Sequence, residues 1–347
     1  MKKTVTTLAD GRELIYYDSR ADTVRDAVDT RPLAPVSSRA EIRHDALLGD
    51  SVVVASHRQG RTFHPPADAC PLCPSREGRL SEIPAADYEV VVFENRFPSL
   101  VGESGRCEVV CFTSDHDTSF AGLTPGRAAL VLDAWTDRTA ALARRPGIEQ
   151  VYCFENRGAE VGVTLGHPHG QIYAFPFATP RTALMRGNAA AHRARTGRNL
   201  FDDVVVRERA DGVRIVLTGE HWIAFVPYAA HWPYEVHLYP VRRVPDLRDL
   251  DDASRAEFPG VYLELLRRFD RLFGPDAPPT PYIAAWHQAP FTADGREEFA
   301  LHLELFTVRR ASDKLKYLAG TESGMDAFMN DVPPESAADR IREVASK

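Results

Sequence analysis

The sequence predicts an α+β fold arranged as two successive halves. Two observations carry this reading: β-branched runs of strand length gather before and after one amphipathic helix, and the same order of elements returns beyond residues 198–212. A length of 347 residues also fits two such units better than one.

Taken in order, the first forty residues are polar and mixed, with "DTRPLAPVSSR" composed like a tether. Residues 1–40 are therefore expected to form a polar extension, with order beginning near Glu41. "SVVVASHRQGR" is a β-branched run that breaks into a basic turn, "YEVVVFENRFPSL" a strand ending at Pro98, and "RCEVVCFTSDHD" a third strand. "LTPGRAALVLDAWTDRTAALARR" begins with a Thr cap and a Pro close behind it, and continues with apolar residues at helical spacing. "EQVYCFENRG" and "HGQIYAFPF" follow as strands, and "RTALMRGNAAAHRARTGRNL" as a helix ending near Gly197. Beyond the junction, "EHWIAFVPY", "PYEVHLYP", the helix ending "YLELLRRFDRLF", "PYIAAWHQAPF" and "FALHLELFTV" repeat strand, strand, helix, strand, strand. The predicted domains are accordingly residues 41–197 and 198–347, the second with a Gly-interrupted tail that is helical at its end.

Hydrophobic residues make up 44% and charged residues 26%, and no stretch approaches the roughly 18 consecutive apolar residues of a membrane span. A net charge of −7 argues against a chain that wraps nucleic acid, which needs a broad basic surface to displace counterions. The charged start "MKKTVTTLADGRELIYYDSR" has no apolar segment after it, so no secretory signal and a cytoplasmic location are expected. The five cysteines are an odd number in a long chain, which favours metal binding or buried thiols over a disulfide framework.

"CPLC" places Cys70 and Cys73 at the spacing of a knuckle that converges two thiolates on one ion. The remaining ligands would come from His116 or from either histidine of "HPH", residues 167–169. In an extended segment residues two apart face one side, so His167 and His169 project together and Pro168 keeps a helix from separating them. Both could bind one ion, or His167 could be a ligand and His169 a base or nucleophile. Neutral imidazole attacks phosphorus readily near pH 7, and the bond formed is labile enough for a second transfer. Arg58 and Arg61 in "SHRQGR" offer charge to a phosphate, against the plainer reading of a solvated turn. Asn95 and Asn156 each follow "FE" at a strand end, where an amide can hold a ligand or simply cap a turn.

Together "GHPHGQIYAF", "CPLC", "FENRG", "SHRQGR" and "DKLKYLAGTESG" resemble the galactose-1-phosphate uridylyltransferase family of the histidine triad superfamily, over most of the chain from Glu41 onward. The resemblance implies two histidine-triad-like halves, each an antiparallel sheet with packed helices. It implies ping-pong exchange of UMP between UDP-glucose and galactose 1-phosphate, in a homodimer with shared sites. By position, His169 would carry the uridylyl group, and Cys70, Cys73, His116 and His167 would hold one zinc ion. Gln171 would hydrogen-bond the phosphoryl oxygens and Asn156 orient the site, while Arg58, Arg61 and Asn95 would contact the uridine diphosphate and Thr164 the phosphate. Lys316, Tyr317 and Glu322 match a segment through which the partner subunit helps hold the hexose. Two departures accompany the match. Phe328 stands where some relatives have a sugar-contacting glutamine. Some relatives also carry a second metal on a glutamate and three histidines: His287 and His302 match two of these, but Glu304 replaces the third histidine and Met185 lies near the glutamate position. That second site is expected to be absent or altered, with His302 and Glu304 structural. Two rival readings stand beside this one: another nucleotidyltransferase or phosphorylase of the superfamily, and a zinc-stabilised binding protein without turnover.

Overall fold

The structure, a computed structural model, describes residues 1–34, 40–60, 65–292 and 294–346. Its contacts divide the chain into two compact units, one of residues 1–153, 164–183 and 290–294 and one of residues 154–163, 184–289 and 295–347.

Order begins at once. β1 (Lys2–Thr7) and β2 (Glu13–Asp18) are antiparallel strands of the first unit's main sheet, where the sequence reading placed a polar extension. β2 buries Leu14 and Tyr16 in an apolar cluster with Cys70, Leu72 and Val91 on one face, and Ile15 and Tyr17 on the other, where a helix packs on it. The polarity that suggested a tether belongs to internal ion pairs. Arg12, 2% exposed, bonds Asp10 at 2.8 Å and also Glu82, and Arg31 bonds Glu82 at 2.9 Å, which ties the segment to the chain just beyond "CPLC". β3 (Glu41–Asp45) and β4 (Asp50–Val54) form a separate hairpin.

The rest of the first sheet comprises β5 (Val90–Glu94), β6 (Arg106–Cys111), the start of β7 (Gln150–Arg157) and β8 (His169–Phe175). Its spatial order is β1-β2-β5-β6-β8-β7, and the pairings from β1 to β8 are antiparallel. Helix α1 (Pro125–Ala143) starts where the sequence signals it: Thr124 accepts the Arg127 N–H and Pro125 occupies the first turn, where its missing donor costs nothing. Its apolar face, with Val131, Leu132 and Trp135 buried, lies on β2, β5 and β8.

Helix α2 (Pro180–Thr196) ends one residue before Gly197, whose φ of 73° suits a residue without a Cβ. The expected junction around residues 198–212 is a further helix, α3 (Leu200–Asp211), capped by Asn199. The second unit continues with β9 (Ile215–Thr218), β10 (Trp222–Phe225), β11 (Tyr234–Pro240), α4 (Asp252–Arg271), β12 (Tyr282–His287) and β13 (His302–Thr307). A small hairpin of β14 (Arg309–Ala311) and β15 (Lys314–Leu315) follows, then α5 (Gly320–Met325) and α6 (Pro334–Glu343). Here residues 154–157 of β7, then β12, β13, β11, β10 and β9 pair antiparallel in that order. The repeat read from the sequence has a topological counterpart: β5-β6-β8-β7 around α1 and β10-β11-β13-β12 around α4 are the same arrangement of strand, strand, helix, strand, strand. No helix among the described residues is long and apolar enough to cross a membrane.

Candidate active site and metal centre

Cys70, Cys73, His116 and His167 bring one ligand atom each to within 4.8 Å of one another. Cys73 Sγ lies 3.3 Å from His116 Nδ1 and 3.5 Å from His167 Nδ1. Two thiols and two imidazoles at these separations fit a tetrahedral ion of the kind that soft sulfur and nitrogen donors select. The knuckle is fixed from behind. Ser81 Oγ donates to the Cys73 carbonyl at 2.5 Å, Glu82 N–H to Pro71 O at 3.0 Å, and Tyr88 OH to Leu72 O at 2.9 Å. His167, 1% exposed, is oriented through its far nitrogen, which meets Thr113 O at 2.7 Å and Tyr88 OH at 2.8 Å. A carbonyl only accepts, so Nε2 carries the proton and Nδ1 offers its lone pair to the cluster. Burial pulls the His167 pKa down to about 4, keeping the ring in its neutral, ligating form. Burial likewise pushes the Cys70 thiol up to about 11, a cost that a bound cation reverses by holding the thiolate. Residue spacing alone leaves open which histidine of the pair faces the ion, whereas the family resemblance assigned His167; neither marked Tyr88 or Thr113, because nothing local distinguishes them.

His169 is placed differently. As the first residue of β8 it pairs with Cys111 of β6, and its Nδ1 lies 2.7 Å from the His167 carbonyl. The proton sits on Nδ1, and Nε2 is left as the nucleophilic lone pair. Desolvation lowers the pKa of the ring, which favours the neutral form that chemistry needs. Alternation along β8 sets His169, Gln171 and Tyr173 on its half-exposed face, with Gly170, Ile172 and Ala174 buried on the other. Arg58 reaches that same face, with Nη1 3.5 Å from Tyr173 OH. Thr164 lies in the loop before His167, a loop anchored by Leu165, which packs against the core cluster containing Cys70, Leu72, Cys73 and Tyr88. Asn95 caps a turn, its Oδ1 accepting the Phe97 N–H at 2.8 Å. Arg61 lies outside the described residues.

The other expected site residues belong to the second unit. Asn156 pairs with Ile283 across β7 and β12 and is half-buried. Its neighbour Gly158 takes a φ of 99°, and a Cβ there would meet Pro281 at 2.7 Å, so the "FENRG" turn requires glycine. Lys316 and Glu322 bond each other at 2.8 Å, and Glu322 also accepts from Thr321 Oγ1 and the Ala319 N–H. The Lys316 ammonium holds the Glu322 carboxyl down to about 2. Tyr317 beside them is 76% exposed, and Phe328 packs edge-on against His231 with ring centroids 4.7 Å apart.

His287, His302 and Glu304 form a second convergent group, their ligand atoms also within 4.8 Å of one another. Met185 contributes no carboxylate and instead packs against the apolar cluster of Phe201, Tyr239, Ala289 and Phe299. The sequence reading expected this second site to be absent or altered, with His302 and Glu304 structural; the structure brings the three side chains together, with the one carboxylate on β13.

The N-terminal domain of the galactose-1-phosphate uridyl transferase family matches residues 100–179 and its C-terminal domain residues 186–347. The chain belongs to this family. A galactose-1-phosphate uridylyltransferase of Streptomyces lividans is 64% identical over 354 aligned positions, covering 99% of this chain and 98% of its own. That of Thermotoga maritima is 36% identical, covering 87% of this chain and 98% of its own. A solved uridylyltransferase structure superposes with a TM-score of 0.78 at 30% identity, over 88% of this chain and 98% of the other.

Proposed function

We propose that the chain is a galactose-1-phosphate uridylyltransferase, moving UMP from UDP-glucose to galactose 1-phosphate through a uridylyl group carried on His169. The observation that carries the reading is the fixed tautomer: His169 Nδ1–H is engaged by the His167 carbonyl at 2.7 Å, leaving Nε2 to attack.

The Nε2 lone pair attacks the α-phosphorus of UDP-glucose, forming the P–N bond as the bond to glucose 1-phosphate breaks and its electron pair leaves on oxygen. The positive charge left on the ring is met by the carbonyl dipole of His167, already in place before reaction. A phosphate oxygen of galactose 1-phosphate then attacks the same phosphorus and returns the electron pair to Nε2. Glucose 1-phosphate leaves as a stable anion and the imidazole leaves as a neutral ring, so neither half needs a general acid. Gln171, on the same face of β8, donates its amide to the phosphoryl oxygens as charge spreads over them, and Arg58 holds the diphosphate. Thr164, Asn95, Asn156 and Arg61 complete the nucleotide contacts in this reading.

Zinc suits Cys70, Cys73, His116 and His167 on donor chemistry, and it would hold the "CPLC" knuckle to the loop carrying His167 and so fix where His169 stands. Lys316, Tyr317 and Glu322 serve the hexose of a partner subunit in a homodimer with shared sites. Residues 41–197 and 198–347 are the two histidine-triad-like halves. Cysteines kept as buried thiols or as metal ligands favour a reducing, cytoplasmic setting.

Isotope exchange tests the transfer. With no galactose 1-phosphate present, labelled glucose 1-phosphate should enter UDP-glucose at a rate compatible with turnover. Absence of that exchange in an enzyme that still makes UDP-galactose would exclude the covalent route. Binding without any turnover would favour the zinc-stabilised binding protein.

A further inference from the structure

Glu82 stands behind the metal knuckle. Its N–H holds Pro71 O, and its buried carboxylate is gripped by two guanidinium groups from the amino-terminal segment. Arg12 Nη2 bonds Glu82 Oε2, and Arg31 sets Nη1 2.9 Å from Oε1 and Nη2 3.4 Å from Oε2. The same Arg12 fork reaches two further acceptors. Nε bonds Asp10 at 2.8 Å, and Nη1 donates at 2.9 Å to the main-chain carbonyl of Glu94, which ends β5 immediately before Asn95. Arg96, on the other side of Asn95, places Nη1 3.7 Å from Glu82 Oε1. We propose that the amino-terminal segment braces the active site, with Arg12 as a positioning residue that joins the metal knuckle, through Glu82, to the loop carrying Asn95.

The brace closes on itself. Asp29 accepts from Arg31 Nε and Nη2 at 2.9 and 2.8 Å and from the Ala9 N–H at 3.0 Å, and the Leu8 N–H bonds Arg12 O at 2.8 Å. Bonds thus run from Arg12 to Glu82, Arg31 and Asp29 and back through the turn to Arg12, so no member can turn without breaking another. Charge matches as well, with Asp10, Asp29 and Glu82 facing Arg12, Arg31 and Arg96. Ion pairs this deeply buried are weak evidence for stability, because apolar side chains of the same volume often serve as well. What they supply here is direction. A planar guanidinium fixes several acceptors at set angles, which an ammonium on a flexible stem does not. The family resemblance begins at Glu41, so it assigns no task to Arg12 or Arg31. The link to the nucleotide rests on the transfer reaction proposed above, in which Asn95 contacts the uridine diphosphate, whereas the link to the metal centre does not.

Two measurements on the full chain test the brace: zinc(II) affinity by competition with a chromophoric chelator, and steady-state kinetics with UDP-glucose on the metal-loaded enzyme. Arg12→Lys keeps the buried charge but not the fork. It should bind zinc(II) about 10-fold more weakly. It should also raise KM for UDP-glucose about 10-fold at nearly constant kcat. Arg31→Lys should move both in the same direction by less, and it decides the question if Arg12→Lys fails to fold. Arg214→Lys is the control, because Arg214 is a comparably buried fork on Glu208, Asp211 and Glu335 in the second unit. It should lower the melting temperature and leave both readouts at wild-type values. Folded Arg12→Lys and Arg31→Lys proteins with wild-type zinc(II) affinity and KM overturn the proposal, and so does a control that shifts both as far. A wild type that binds zinc(II) without turnover removes the transfer reaction instead, and zinc(II) affinity alone then decides the brace.

Discussion

His169 donates its Nδ1–H to the main-chain carbonyl of His167 at 2.7 Å, so a residue of the candidate metal centre also sets the tautomer of the ring two positions on. One short segment therefore performs two jobs. His167 turns its side chain to the cluster and its carbonyl to His169, and Pro168 between them cannot relax into a helix.

The division of labour makes the two histidines separable by substitution. His169→Ala should lower transferase turnover by at least about 10^4-fold, as expected when a covalent nucleophile is removed. Metal content and melting temperature should stay near those of the wild type. Loss of bound metal in this variant would show that His169 is a ligand after all.

Tyr88 offers a test of the metal centre that leaves every ligand in place. Its hydroxyl lies 2.8 Å from His167 Nε2 and donates to Leu72 O in the knuckle. Tyr88→Phe should weaken metal binding by about 10–100-fold, the usual cost of losing an outer-shell partner. Competition with a chromophoric chelator measures it, and unchanged affinity would remove Tyr88 from the site's support.

Gln171 lies on the same face of β8 as His169, with its neighbours Gly170 and Ile172 turned inward. Gln171→Ala should reduce kcat by about 10^2–10^3-fold, the range seen when one donor to a developing oxyanion is lost. KM should change little. A rise in KM at constant kcat would assign Gln171 to ground-state binding instead.

A separate pH effect arises at Glu155, 4% exposed on β7, whose Oε1 accepts from Tyr282 OH at 3.0 Å while Oε2 has no hydrogen-bond partner among the described residues. Burial pushes its pKa up to about 8, chiefly by desolvation. The unfolded chain releases this proton near pH 4.5, so the native state holds the extra proton between that value and about 8, and stability falls as pH rises through the window. Glu155→Gln cannot ionise and should exceed the wild type in stability by about 2–4 kcal/mol at pH 8, with the gap closing toward pH 5. Denaturant unfolding across this range checks it, and parallel pH profiles would contradict it.

Much of this was legible in the sequence where local chemistry decides structure. Thr124 and Pro125 announce α1, Gly197 ends α2, and alternation in "HGQIYAF" gives the two faces of β8. The knuckle spacing of Cys70 and Cys73 was equally plain. What stayed hidden depends on partners far along the chain. Arg12, Asp10 and Arg31 belong to the segment read as a polar extension, yet Arg12, bonded to Asp10, and Arg31 both meet Glu82, some fifty to seventy residues on. Tyr88 and Thr113 lie 79 and 54 residues from His167 in the chain and meet it only through the tertiary fold. The group at Glu304 was half visible: His302 and Glu304 sit two apart in one strand, but His287 and His237 come from strands that only sheet pairing brings alongside.

The central claim is that His169 Nε2 carries the uridylyl group, and intact-protein mass spectrometry after brief incubation with UDP-glucose alone tests it most directly. The wild type should gain the mass of one uridylyl group per chain, lose it again on addition of galactose 1-phosphate, and show no gain in His169→Ala. An unchanged wild-type mass under conditions that support turnover, or the same gain in His169→Ala, would contradict the claim.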